Sequence, residues 1–205
     1  MSRLLLRCRT ERRMEIFKDS SCLLTSSGMN VQVDVPATIT TSFEFIDSHF
    51  HLDLILQKIQ TPTGDYHSFD DLQQLVVSNF TKNELLFGIA NYVFPHHWRQ
   101  WEKQVDNSPK IKVTFGVHPH IAARGISHRQ KQELAKYILS DQCVAVGETG
   151  LDYTTSCECV REGIHCPSEK DCKERIRANQ EEGFLFQLQL ATKLDLPAVI
   201  HCRDK

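Results

Sequence analysis

Two histidines separated by one residue follow a short apolar run in FIDSHFHLDLIL, residues 45 to 56. In an extended chain His49 and His51 share one face, because alternate residues of a strand point the same way. Imidazole nitrogens are common ligands of zinc and other divalent cations. The pair is a weak motif by itself, since 10 histidines in 205 residues give about 0.5 such pairs by chance. Its position at the end of an apolar run strengthens the metal-binding interpretation.

Ionisable side chains also end three other apolar runs of the sequence. Packing alone would place Val or Leu at such positions. In α/β barrels the catalytic groups lie where strands end at their carboxyl side. The pattern therefore predicts one metal-binding or phosphate-binding site assembled from several strand ends. The residues in question are His118 and His120 after IKVTFGV, Glu148 and Asp152 in CVAVGETGLD, and His201, Arg203 and Asp204 in LPAVIHCRD.

The second His-x-His pair is interpreted differently from the first. Pro119 separates His118 from His120 and disturbs strand geometry. We therefore predict a substrate-facing loop there rather than joint ligation of an ion. The remaining histidines do not follow buried runs, and we predict that they are surface residues: His67, His96, His97, His128 and His165.

Five apolar runs between Phe43 and the end of the sequence are predicted to be strands. Both faces of each run are apolar, as a parallel sheet covered by helices requires. Four amphipathic patterns alternate with the runs and predict helices, the first of them with Ser68 as its cap and Asp71 three residues later. The β-α-β-α order predicts parallel strands with right-handed crossovers. The strand runs are FEFID, LLFGIANYVF, IKVTFGVHP, CVAVGETGLD and LPAVIHC, and the helical patterns are HSFDDLQQLVVSNF, PHHWRQWEKQV, SHRQKQELAKYIL and NQEEGFLFQLQLATKLD.

Charge and targeting patterns narrow the location and the partners. The chain has 24 Lys and Arg against 26 Asp and Glu, a net charge of −2, so any contact with nucleic acid has to be local rather than driven by a global positive field. No apolar run approaches the roughly 20 residues that a membrane span needs. The start MSRLLLRCRTERRMEIF breaks its Leu run with arginines and acids, which is atypical of a signal peptide and of a mitochondrial leader. We expect a cytoplasmic or nuclear protein that is not secreted and does not bind membranes.

Four of the eight cysteines lie close together in the segment 154–178. Four thiolates can hold a structural zinc ion, but the spacing lacks the paired C-x-x-C of common zinc modules. The alternative is a charged, mobile insertion in a loop. The four cysteines are Cys157, Cys159, Cys166 and Cys172.

Residues 1–42, which precede the first predicted strand, are rich in Ser and Thr and are predicted to be a flexible extension.

Four motifs in this order and spacing resemble the TatD family of metal-dependent deoxyribonucleases: FIDSHFHLD, FGVHPH, VAVGETGLDY and QEEGFLFQLQLATKLDLPAVIHCRD. The resemblance implies an α/β, TIM-barrel-like metal-dependent hydrolase over residues 43–205, with two divalent ions (Zn, Mn or Mg) and DNA strand ends as the substrate. It also implies roles for single residues. His49 and His51 would bind the first ion, His201 the second, and Glu148 both ions as the catalytic carboxylate, while His118 and Arg203 would bind the substrate.

The sequence holds about five of the eight strand-helix units of a complete barrel, which typically takes about 250 residues. The resemblance implies a further ligand His after the sixth strand and an Asp after the eighth, and this sequence contains neither. We expect a partial barrel with open edges, partly exposed Ile46 and Ile200, and a site that binds one ion better than two. Two other functions stay open: C–N bond hydrolysis of a small molecule, and a non-catalytic, truncated metal-binding product.

Overall fold

The computed structural model describes residues 44–59, 67–79, 84–105 and 108–204. The extension predicted over residues 1–42 lies outside these ranges. Within them, strands and helices alternate along the chain, as the apolar and amphipathic patterns predict. The elements are β1 (Glu44–Phe50), α1 (Leu52–Lys58), α2 (Phe69–Asn79), β2 (Glu84–Tyr92), a 3-10 turn (Trp98–Gln100), α3 (Trp101–Val105), β3 (Ile111–Phe115), α4 (Pro119–Ala122), α5 (His128–Ile138), β4 (Cys143–Asp152), α6 (Glu158–Arg161), α7 (Glu169–Lys193) and β5 (Ala198–Arg203).

The five strands form one parallel sheet in the order β1-β2-β3-β4-β5. Each strand pairs with its neighbour in sequence, which is the arrangement of a β/α barrel. In the described part of the chain β1 and β5 are the two edges of the sheet. Ile46 on β1 is 66% exposed and Ile200 on β5 is half-buried, so the predicted open edges are confirmed.

The core lies between the sheet and the helices and includes an aromatic cluster behind β2 and β3. Trp98 is fully buried, and its indole N–H donates to the carbonyl of Tyr92 at 3.0 Å. The ring of Phe115 lies 5.8 Å from that of Tyr92 and 5.4 Å from that of Tyr137. These contacts fix the helices after β2 and β3 against the sheet, and so hold the strand ends in place. None of the helices in the described ranges is both long and apolar enough to cross a membrane.

Side-chain caps set the starts of several helices. The Ser68 hydroxyl accepts from the backbone N–H of Asp71 at 3.2 Å, and the Asp71 carboxylate accepts from the backbone N–H of Ser68 at 3.0 Å, which confirms the predicted cap. Helix α7 begins at Glu169, earlier than the apolar pattern from Asn179 predicts. The cause is Ser168, whose side chain accepts from the backbone N–H three residues later.

The cap carboxylate of Asp71 makes the stability of α2 depend on pH. The hydrogen bond from the backbone N–H of His67 is the main cause that lowers the pKa of this carboxyl below its ordinary value of 3.8. Burial opposes this lowering, and the Ser68 contacts add to it. A depressed folded-state pKa stabilises the fold above the unfolded value and loses that effect as the pH falls through the folded pKa. We expect Asp71→Asn to flatten the pH dependence of the unfolding free energy.

Urea denaturation at neutral pH and well below pH 3.8 measures this difference. Asp70→Asn changes the neighbouring exposed carboxylate and is the matched control. Parallel pH profiles for the wild type and Asp71→Asn would contradict the assignment.

Candidate metal centre

The four residues predicted as metal ligands converge at the carboxyl ends of β1, β4 and β5. Nε2 of His49 lies 3.5 Å and Nε2 of His51 lies 3.8 Å from Oε2 of Glu148. Nδ1 of His201 lies 3.0 Å from Oε1 of the same carboxylate. Glu148 is 5% exposed, so three imidazoles surround a buried anion.

The backbone fixes the orientation of the His51 ring. Its Nδ1 lies 2.9 Å from the carbonyl oxygen of Asn91, and a carbonyl only accepts, so Nδ1 carries the proton. The lone pair of Nε2 then faces Glu148, which is the tautomer that a metal ligand needs. Asn91 is itself held within the sheet, because its side chain donates to the carbonyl of Ile89 and accepts from the Thr114 hydroxyl.

Sequence reasoning did not single out Asn91 as a supporting residue. A signal for it is present, because Asn91 is a fully buried polar residue within the apolar run LLFGIANYVF. Buried amides of this kind need several partners, so such a residue in a strand indicates a fixed polar network.

The prediction that His97 is a surface residue was wrong. His97 is 5% exposed, and its Nδ1 lies 2.6 Å from Oδ2 of the buried Asp53. The fully buried Trp98 follows it in the sequence. The Asp53–His97 pair links the turn after β2 to the first turn of α1, directly after His51. The other histidines with the same prediction are exposed: His67, His96, His128 and His165.

Glycine in GETGLD allows β5 to lie close to β4. Gly150 has a φ of +149°, and a Cβ at this position would collide with the backbone of His201. The two residues are partners in the β4–β5 register. A side chain here would therefore displace the histidine from the site.

The ring of His201 lies between two carboxylates. Its Nδ1 is 3.0 Å from Glu148 and its Nε2 is 3.1 Å from Oδ2 of Asp152. The hydrogen bond to Glu148 raises the pKa of His201, and burial opposes this less strongly. For Glu148, burial acts to raise the pKa, but the hydrogen bonds from His201 and His49 outweigh it and lower the pKa well below its usual range. The Glu148 side chain is therefore an anion at neutral pH.

His118 and His120 begin α4 beside this site, next to the end of β4. Nε2 of His120 lies 2.7 Å from Oδ2 of Asp152, and the ring of His118 lies 4.5 Å from that of His201. Burial lowers the pKa of His118 to about 4, so its ring is neutral at neutral pH. Its Nδ1 accepts from the backbone N–H of His120 at 3.2 Å, which places the proton of the neutral ring on Nε2.

Arg203, predicted to bind the substrate, lies at the end of β5. Its side chain is half-buried, and its backbone carbonyl accepts from the N–H of Tyr153 at 3.1 Å. Asp152 is its partner in the β4–β5 register. The residue therefore lies at the same carboxyl end of the sheet as the histidines.

The donor atoms fit divalent cations. Two groups of side chains each bring their donors within 4.8 Å of one another, and Glu148 belongs to both. Neutral imidazoles with a carboxylate suit zinc, manganese and related ions. The first group is His49, His51 and Glu148, and the second is His118, Glu148 and His201.

Comparison with known proteins assigns the chain to a family. The family model described as TatD related DNase matches residues 46–205. The chain belongs to the TatD family. The predicted membership is thus confirmed, and the TatD family is metal-dependent, in keeping with the donor groups described above.

Two curated TatD relatives carry nuclease names. The 3'-5' RNA nuclease TATDN2 of Homo sapiens is 32% identical over 162 residues, which are 78% of this chain and 18% of that protein. The 3'-5' ssDNA/RNA exonuclease TatD of Escherichia fergusonii is 28% identical over 106 residues, which are 52% of this chain and 34% of that protein. The chain thus spans about a third or less of the length of these two relatives.

Two solved TatD structures confirm the TIM-barrel-like α/β fold. The TatD homologue YJJV from Escherichia coli k12 matches 78% of this chain at 21% identity with a TM-score of 0.51. A TatD family hydrolase from Entamoeba histolytica matches 80% at 22% identity with a TM-score of 0.52. In each case the match covers 51% of the solved chain, in keeping with the predicted partial barrel.

Proposed function

We propose that this chain carries the metal centre of a nuclease that hydrolyses phosphodiester bonds at the ends of single-stranded DNA. The observation that supports this most directly is the buried Glu148 carboxylate, which is common to two groups of possible ligands. Divalent cations bound there, the first more tightly than the second, would polarise the phosphoryl group and lower the pKa of the attacking water. Membership of the TatD family and the nuclease names of the relatives agree with this reaction.

Each ligand has a distinct proposed role. His49 and His51 hold the first cation, with the His51 ring oriented by the carbonyl of Asn91. His201 would hold the second, and Glu148, which belongs to both groups, would be the catalytic carboxylate. The carbonyl of Asn91 orients the His51 ring, and the carboxylate of Asp152 orients the His201 ring, so that both rings face Glu148.

The substrate phosphate is proposed to contact His118 and Arg203. The Nε2–H of the neutral His118 ring is a donor near His201, which favours hydrogen bonding to a phosphate oxygen over ligation of a cation. A guanidinium matches the paired oxygens of a phosphate, and Arg203 lies at the same carboxyl end of the sheet as His118 and His201. Such local contacts are what a chain with a net charge of −2 requires for nucleic-acid binding.

The test uses end-labelled single-stranded DNA and RNA of one sequence, incubated with the purified chain and Mn²⁺, Mg²⁺ or Zn²⁺. We expect stepwise shortening of DNA from its end that stops when a chelator is added. Shortening that a chelator does not affect would contradict the metal centre. Degradation of RNA alone would change the substrate class but keep the centre.

The two other functions predict different results in the same assay. Hydrolysis of cyclic amides without any shortening of DNA or RNA would assign C–N bond chemistry. Metal binding without hydrolysis of any of these compounds would assign a non-catalytic role.

We also propose that the protein works in a reducing compartment, the cytoplasm or the nucleus. In the described ranges all six cysteines are free, including four within reach of one another. In an oxidising compartment thiols at such distances would be expected to form disulfides.

A further inference from the structure

The cysteine-rich segment between β4 and α7 brings four thiols into one group. The Sγ atoms of Cys157 and Cys166 lie 3.9 Å apart, and those of Cys166 and Cys172 lie 3.5 Å apart. All four sulfur atoms lie within 4.8 Å of one another. We refer to the set as the cysteine cluster: Cys157, Cys159, Cys166 and Cys172.

These separations match the edges of a zinc–thiolate tetrahedron. With Zn–S bonds of about 2.3 Å, the sulfur atoms of a tetrahedral site lie about 3.8 Å apart. The two measured distances, 3.5 and 3.9 Å, lie on either side of that value. One zinc ion can bind all four sulfur atoms at once, whereas a disulfide joins only two cysteines.

The local fold explains how an unusual spacing still converges. Cys157 is the N-cap of α6, and the turn after α6 is closed by a bond from the N–H of Ile164 to the carbonyl of Cys159 at 2.9 Å. Cys172 lies in the first turn of α7. Helix α6 and the first turn of α7 thus position the thiols, as two C-x-x-C turns do in common zinc modules.

The segment has no apolar core of its own. Every residue from Tyr153 to Asp171 is described, and in this stretch Cys157 has the single buried side chain. The apolar side chains of Val160 and Ile164 are 60% and 57% exposed. A segment that buries so little apolar surface needs another source of order, and in small folds a metal site commonly supplies it.

The surroundings suit a site with four thiolates. A zinc ion with four thiolates carries a net charge of −2, which basic neighbours stabilise. Nη2 of Arg175 lies 3.6 Å from the sulfur of Cys172. Arg124, near α4, pairs with Glu158 of α6 at 3.3 Å, so an ordered cluster would also fix this loop beside the strand ends.

We propose that the cysteine cluster binds one structural zinc ion, separate from the metal centre around Glu148. The ion links the loop after β4 to the first turn of α7. This loop begins beside Asp152, whose carboxylate accepts from the backbone N–H of Thr154 at 2.9 Å.

Cobalt substitution on the unmodified chain tests sulfur ligation directly. We expect Co²⁺ to give the intense visible bands and the sulfur-to-metal charge-transfer band of a tetrahedral tetrathiolate site, and Zn²⁺ to remove them. A cobalt spectrum with weak bands and no thiolate charge transfer would overturn the proposal. Because this measurement needs no substitution, it decides the question even if cysteine variants fail to fold.

Metal analysis of variants separates the cluster from the histidine centre. We expect Cys159→Ser/Cys166→Ser to lose one zinc per chain and the thiolate bands, and His49→Ala/His51→Ala to keep those bands. Cys202→Ser, at an exposed cysteine outside the cluster, is the control and should keep the zinc content and the thiolate bands of the wild type. An unchanged zinc content in the double cysteine variant, or thiols recovered as disulfides without zinc, would overturn the proposal.

Discussion

Replacing Glu148 by glutamine is expected to lower the rate of the proposed DNA hydrolysis by at least about 100-fold and to weaken metal binding strongly. The amide keeps the size of the side chain but removes the charge that both ligand groups share. It also leaves His49, His51 and His201 around a neutral group. One substitution therefore affects both proposed ion positions.

The two readouts are the rate of shortening of end-labelled single-stranded DNA and the affinity for Mn²⁺. Glu102→Gln changes an exposed carboxylate on α3 and is the matched control. A Glu148→Gln protein with wild-type metal affinity would contradict the assignment, even if its hydrolysis rate fell.

Replacing His97 by alanine is expected to destabilise the protein by about 3–5 kcal/mol, the usual cost of leaving a buried charge without its partner. Oδ1 of Asp53 has no hydrogen-bond partner among the described residues, and Oδ2 is held by His97 at 2.6 Å. The substitution would leave both oxygens unsatisfied in a side chain that is 1% exposed.

Urea denaturation compares this variant with His96→Ala. His96 is the exposed neighbour, and its loss should change the unfolding free energy by no more than about 0.5 kcal/mol. Equal stabilities of the two variants would contradict the structural role of the Asp53–His97 pair. Weakened Mn²⁺ binding in folded His97→Ala would show that the pair also positions His51 through α1.

The sheet and the convergence of the candidate ligand side chains could be predicted because both follow from local patterns. Runs that are apolar on both faces predict buried parallel strands, and polar residues directly after those runs predict a site at the carboxyl ends. His49, Glu148 and His201 were found in this way, from three separate strands. Their convergence follows from the order of the sheet, since parallel strands place their carboxyl ends on the same side of the sheet.

The features that the patterns did not predict depend on contacts between distant parts of the chain. His96 and His97 are identical in type and adjacent, and only the position of Asp53, 44 residues earlier, distinguishes the buried ring from the exposed one. The start of α7 at Glu169 depends on one serine cap rather than on an apolar stripe. The cysteine cluster converges through a helix start and a turn, which no familiar spacing motif describes.

Calorimetric titration with Mn²⁺ measures metal binding at the histidine centre. This ion prefers oxygen and nitrogen donors over thiolates, so it reports the histidine centre without interference from the cysteine cluster. We expect the wild type and the exposed-histidine control His67→Ala/His128→Ala to bind alike, and His49→Ala/His51→Ala to bind at least about 100-fold more weakly. Unchanged Mn²⁺ binding in His49→Ala/His51→Ala would show that these two histidines are not ligands of the ion.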